Sequence, residues 1–121
     1  MNIFVLINAP PGSATANQAL LVTRALLAAG HDIDQIFFYE DGVLHAQPNH
    51  KNAHAWTTFF ELNETEAICC SKAVNKYELT RFFGAGPYHL GGMAQLVAQQ
   101  ANADRVLTFA IRNTEQQGGG V

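Results

Sequence analysis

The first seven residues confine the fold more tightly than any other stretch of the chain. Met1-Asn2-Ile3-Phe4-Val5-Leu6-Ile7 is nearly all apolar, with β-branched Ile3, Val5 and Ile7, and a short apolar run without polar alternation marks a strand buried on both faces. Such a strand belongs in the middle of a helix-covered sheet, which points to an α/β architecture. Asn8-Ala9-Pro10-Pro11-Gly12 ends it. Ser13 or Thr15 can cap the helix predicted over residues 16–29, which is rich in Ala and Leu and stops at Gly30. Asn17, Gln18, Thr23 and Arg24 cover only part of its circumference, so a wide arc is expected to be buried.

The alternation of strand and helix then repeats. Residues 33–39 contain Ile36, Phe37 and Phe38 and are followed by the turn signal Glu40-Asp41-Gly42, which reads as a second strand. A strand, helix and strand at this spacing imply a parallel pair joined by a right-handed crossover. Residues 44–51, punctuated by Pro48, read as a loop before a helix near 52–62 that Trp56, Phe59 and Phe60 anchor. Glu66-Ala67-Ile68-Cys69-Cys70 is the third strand, with a helix from Ser71 to about Tyr77. Residues 82–92 hold Gly84, Gly86, Pro87 and the Gly91-Gly92 pair and read as an irregular loop over a site. A helix over 93–101 and a strand over 104–111 complete the pattern. The expected fold is a three-layer α/β/α arrangement around a mostly parallel central sheet of about four to five strands. A chain of 121 residues is one domain long. That domain is expected over residues 1–113, with 114–121 as a flexible tail.

Composition narrows the function. The chain is 48% hydrophobic and 14% charged, enough apolar surface for a core without disulfides. The sparse charge suggests that other subunits cover part of the surface. A net charge of −3 with scattered Lys and Arg offers no basic stripe for a phosphate backbone, so direct nucleic-acid binding is not expected. No apolar run approaches the ~20 residues that span a bilayer. The N-terminus lacks the basic region of a signal peptide, which makes a cytoplasmic location the default. The two cysteines are adjacent, and a vicinal disulfide closes almost no loop, so both are read as free thiols.

In open parallel sheets, ligands bind at the carboxyl ends of the strands. Three loops reach that edge, residues 8–12, 39–42 and 69–71, and only the third carries a reactive nucleophile. A helix starting just after a cysteine offers free N–H groups and the positive end of its dipole to a thiolate. Cys69 and Cys70 both meet that description, with Lys72 and Lys76 nearby. Side chains alternate along a strand, so the two thiols do not share a crevice. The five histidines form no zinc spacing, His50 and His54 included, and are read as solvated polar residues; no metal or cofactor is expected. The first loop has neither GxGxxG nor GxxxxGK, and Pro10-Pro11 removes N–H donors a phosphate would need. Glu40 and Asp41 read as solvated turn residues.

Several stretches together resemble the DsrE/TusD family of sulfurtransferase subunits. They are Phe37-Phe38-Tyr39-Glu40-Asp41-Gly42-Val43, Ile68-Cys69, Leu90-Gly91-Gly92-Met93-Ala94-Gln95-Leu96 and Asp104-Arg105-Val106-Leu107-Thr108-Phe109, in the family's order and spacing. The resemblance implies a DsrE-like fold and a sulfur relay. In such a relay the family cysteine, by position Cys69, accepts sulfane sulfur as a persulfide from a small donor protein. It then hands the sulfur to an acceptor protein, serving tRNA thiolation or the oxidation of reduced sulfur compounds. It also implies homo- or hetero-oligomers with related subunits, and it leaves Cys70 as a packing residue. Where the family commonly has small residues and Arg-Arg-Gly after its cysteine, this chain has Cys70-Ser71-Lys72-Ala73-Val74-Asn75-Lys76-Tyr77, a different local electrostatic surface. Two other roles fit a chain of this kind: a non-catalytic structural or regulatory subunit of such an assembly, and a thiol redox sensor using Cys69 and Cys70.

Overall fold

The computed structural model describes residues 1–112, so the expectation for the tail falls outside the described residues. In chain order the elements are β1 (Ile3–Ile7), α1 (Ala14–Ala28), β2 (Gln35–Phe38), a 3-10 turn (Glu40–Ala46), α2 (His54–Leu62), β3 (Glu66–Cys70) and α3 (Ser71–Lys76). A second 3-10 turn (Thr80–Phe82), β4 (Tyr88–Gly91), α4 (Met93–Asn102) and β5 (Arg105–Phe109) follow. All neighbouring strands pair in parallel, in the order β4-β3-β2-β1-β5.

That order explains why the layers are unequal. From β1 to β4 the chain steps across the sheet in one direction, and right-handed crossovers place every intervening helix on the same face. Ile3, Val5, Ile7, Ile36, Phe38, Ala67, Cys69 and Tyr88 point to this face and pack with Ala16, Ala19 and Leu20 of α1, Trp56, Phe59 and Phe60 of α2, and Val74 of α3. Between β4 and β5 the chain returns past β1, so α4 falls on the opposite face. There the cluster is small: Phe4, Leu6, Phe37 and Ile68, with Leu96 of α4 packed against it. No residue of α4 is buried, and Met93 is 69% exposed. No helix among the described residues is long and apolar enough to cross a membrane.

Ser13 is the cap of α1: its Oγ accepts from Ala16 N at 3.1 Å, and Gly30 takes φ +93° just beyond the helix. The wide buried arc expected of α1 is a narrow stripe instead, Ala16, Ala19, Leu20 and Thr23, with Leu21 exposed. α1 meets a sheet on one side only; Leu26 and Leu27 add partly buried contacts to the core, while Leu21 is left outside. The stretch expected to be irregular over 82–92 holds the edge strand β4. Its four residues lie between Pro87 and Gly92, and the Gly and Pro signals on either side hid an extended run. The loop expected from Leu44 begins later, because the turn at Glu40 winds on through Ala46 as 3-10 helix.

Candidate active site at the carboxyl edge of the sheet

Because every strand is parallel, the three loops named from the sequence do share one edge, where Gly91-Gly92 and Ala110-Ile111 join them. The strand order reverses between β1 and β5, the place where open α/β sheets form a crevice. Here the fork is closed by Asn8. Its Nδ2 donates to Ile111 O at 3.1 Å and to Glu40 Oε1 at 2.9 Å, while its Oδ1 accepts from Ile111 N at 2.7 Å. Gly42 lies so close to the end of β1 that a Cβ there would sit 2.3 Å from Ile7 O, so glycine is the residue that lets the turn lie against β1. Glu40 adopts φ +49° to start this turn. Asp41 accepts a hydrogen bond from Tyr77 Oη, which, with burial and the charges of Asp41 and Glu40 adding to it, pushes the Tyr77 phenol up to about 12. The edge is therefore stitched together from β5 through Asn8, Glu40 and Asp41 to the end of α3.

Cys69 sits beneath this edge. It occupies the next-to-last position of β3, opposite Phe38 of β2 and Leu90 of β4, and is 0% exposed. Burial, followed by the neighbouring Cys70, pushes its thiol well above the ordinary range, since a thiolate there would lose its water. The sequence led to the opposite expectation, a thiolate favoured by a helix start. The correction has a geometric reason. α3 is six residues long and begins at Ser71, with Cys70 rather than Cys69 at its N-cap, so the dipole is weak and set one residue too late. Cys70 is partly exposed. It still packs at the rim of both apolar clusters, and is only partly covered because it stands at the strand's last position, where the helix turns away. Both cysteines are free.

Around Cys69 lies a wall of rings. The Phe38 ring centroid is 5.3 Å from that of His45, 5.7 Å from Trp56, 5.9 Å from Phe60 and 6.0 Å from Tyr88. Thr57 Oγ1 donates to Ala53 O at 3.2 Å, so Tyr88 Oη, 3.0 Å away, is the donor to Thr57. The Tyr88 phenol is raised, chiefly by burial, with the neighbouring Cys69 and Glu61 acting in the same direction. Tyr88 is thus the titratable side chain on β4 that shares the thiol's surroundings. It escaped the sequence reading together with β4; the signal was Tyr88-His89-Leu90, an extended run between a proline and two glycines.

His45 departs from the expectation of solvated histidines. It is 3% exposed. Its Nε2 lies 2.9 Å from Ala9 O and so carries the proton, which leaves Nδ1 a buried acceptor without a partner among the described residues. Burial lowers the ring to about 4; the Ala9 carbonyl opposes the shift and His50 adds to it. Trp56 Nε1 nearby is likewise a buried polar atom without a hydrogen-bond partner among the described residues. His45 was legible only as part of the apolar run Val43-Leu44-His45-Ala46, which places it on the inner side of the turn. His54 and His89 are exposed, and His31 and His50 partly so. No group of three or more potential metal ligands converges among the described residues.

With this geometry in place, comparison with known proteins gives a consistent family. Residues 1–109 match the model of the DsrE/DsrF-like family. The chain is similar to the sulfurtransferase TusD homolog of Pseudomonas aeruginosa, 34% identical over 83% of this chain and 90% of that one. It is also similar to the TusD homolog of Vibrio cholerae, at 28% over 87% and 95%. In three dimensions it resembles the crystal structure of the ychN protein from E. coli, with a TM-score of 0.74 at 20% identity, covering 89% of this chain and 97% of that one.

Proposed function

Since the chain belongs to the DsrE/DsrF-like family, we propose that it is a sulfur-relay protein in which Cys69 accepts sulfane sulfur as a persulfide and passes it to an acceptor protein. The observation that carries this reading is the place of Cys69: one residue from the carboxyl end of a central parallel strand, at the edge where such folds react. Its relatives bear the name sulfurtransferase. The step is thiol–persulfide exchange. The Cys69 thiolate attacks the outer sulfur of a donor persulfide, a new S–S bond forms, the donor's S–S bond breaks, and the donor cysteine leaves as a thiolate.

Burial adds a condition. In the closed form described here the thiol is shut away and protonated, so transfer needs the stitched edge over it to open when a donor protein docks. The relay operates in the cytoplasm, where thiols stay reduced, and ends in tRNA thiolation or the oxidation of reduced sulfur compounds. Related subunits complete the assembly by covering apolar side chains that the small face leaves outside: Met93 and Val97 of α4 and Val106 of β5.

The same burial favours a second reading, a non-catalytic subunit whose cysteine only packs. A vicinal redox pair has less support, because Cys69 and Cys70 stand at successive positions of one strand and face opposite sides. Intact-mass measurement after incubation with a persulfide donor separates them. Uptake of one sulfur by the wild type and by Cys70→Ser, but not by Cys69→Ser, supports the relay. No uptake by any form supports the structural subunit, and loss of two hydrogens on mild oxidation supports the redox pair.

A further inference from the structure

The segment that follows the cysteines is basic in a chain that is otherwise acidic. Lys72, Lys76 and Arg81 are three of its seven Lys and Arg residues and fall within ten positions, with Glu78 the one acid among them. All three are exposed. Ala73 and Val74 turn the inner side of α3 to the core, and Lys72 and Lys76, four residues apart, share the outer side. Two of the cationic heads rest against aromatic rings. Lys76 Nζ lies 5.4 Å from the centroid of the Tyr77 ring, and Arg81 Cζ lies 4.5 Å from that of Phe82 while its Nη1 donates to Glu78 O at 3.0 Å. Of the acids nearby, Asp41 is engaged by Tyr77 and Glu40 by Asn8, which leaves Glu78 as one carboxylate against three cations. The outer side of α3 and the Thr80–Phe82 turn thus carry a small group of cations with aromatic floors, on the segment that starts two residues after Cys69.

We propose that this patch docks an acidic segment of the protein that delivers sulfur to Cys69, an inference that rests on the relay reading above. Three cations in one cluster suit a short run of carboxylates; they are too few and too local to track a nucleic-acid backbone, and the net charge of −3 opposes one. Docking here sets the donor against the helix that begins at Ser71 and against Tyr77, whose bond to Asp41 is one of the stitches along the carboxyl edge of the sheet. In the exchange the donor cysteine leaves as a thiolate and takes up the proton that Cys69 released.

The test uses three synthetic peptides of one sequence carrying a persulfidated cysteine flanked by Glu, Ser or Lys, with the full chain as acceptor and sulfur on Cys69 read by intact mass. The Glu-flanked peptide should load the protein about tenfold faster than the Lys-flanked one at low salt, with the gap closing near 1 M salt. The variant Lys72→Gln/Lys76→Gln/Arg81→Gln should lose the gap and still load from the Ser-flanked peptide. Equal rates from the Glu and Lys peptides would overturn the docking and leave the relay standing. Calorimetric binding of a Glu-flanked peptide with Ser in place of the cysteine reads docking without chemistry. If that peptide binds but no persulfide peptide loads Cys69, the relay reading falls and the acidic docking site stands. Displacement of the bound peptide by a short single-stranded RNA at equal concentration would overturn the assignment to a protein partner.

Discussion

Cys69 stands directly opposite Phe38 across the β2 and β3 ladder, so the thiol lies behind the ring around which His45, Trp56, Phe60 and Tyr88 gather. One residue further on, Cys70 has left this shelter and is partly exposed. A single strand position therefore separates a fully buried thiol from a partly exposed one.

That separation predicts how the two cysteines react with a small alkylating reagent. In the folded protein without a donor, iodoacetamide should modify Cys70 first, with Cys69 slower by at least about tenfold because it reacts only through opened states. In denaturant the two should react alike. Peptide mapping after timed quenching reads both rates, and equal native rates would contradict the closed edge.

Burial of Cys69 also ties stability to alkaline pH. Its folded pKa is raised above the unfolded value, so the folded state holds the proton longer. The stabilisation is fully present below the unfolded thiol pKa of about 8.5 and is lost as pH rises beyond it, because the unfolded chain ionises first. Tyr88, also raised, adds the same sign from about 10 upward. Urea unfolding from pH 7 to 10 should show falling stability in the wild type and a flatter curve between pH 8 and 10 in Cys69→Ala.

His45 works in the opposite direction. Its folded pKa is lowered from 6.5 to about 4, so the buried ring stays neutral while the unfolded chain takes up a proton. Stability is fully present above pH 6.5 and is lost as pH falls toward 4. The loss amounts to about 3 kcal/mol at about 1.4 kcal/mol per unit. In His45→Gln an amide N–H can still reach Ala9 O, and no ring is left to titrate. That variant should unfold with a smaller slope across this range, as measured by urea titration at each pH.

These relationships show what the sequence makes legible. Residues 3–7 are buried without exception, so their uninterrupted apolar character marked the central strand directly. The turn at Gly42 and the start of α3 at Ser71 were visible because local chemistry demands them. Burial of Cys69 was not visible. It depends on Phe38 and on Tyr88 of β4, a strand masked by flanking glycines and proline, and on α2 closing from the same side. The inward turn of His45 was likewise hidden, since it depends on the carbonyl of Ala9, 36 positions away in the chain.

A last prediction comes from the backbone at two turns. At Gly42, a methyl group would meet Ile7 O at 2.3 Å and Asn8 Cα at 3.1 Å, and those backbone atoms lie at the end of β1, a strand held between two neighbours, and cannot give way. Gly42→Ala should therefore cost about 2–4 kcal/mol and loosen the stitched edge, raising the alkylation rate of Cys69. Glu78 presents the reverse case. It is exposed and holds φ +57°, a left-handed conformation that costs a side chain about 1 kcal/mol, and what it gives Arg81 is its backbone carbonyl, which glycine keeps. Glu78→Gly should leave the protein as stable or more stable by up to about 1 kcal/mol. Thermal unfolding of the two variants beside the wild type checks both signs, and a Gly42→Ala protein of unchanged stability would show that the turn does not need its close approach to β1.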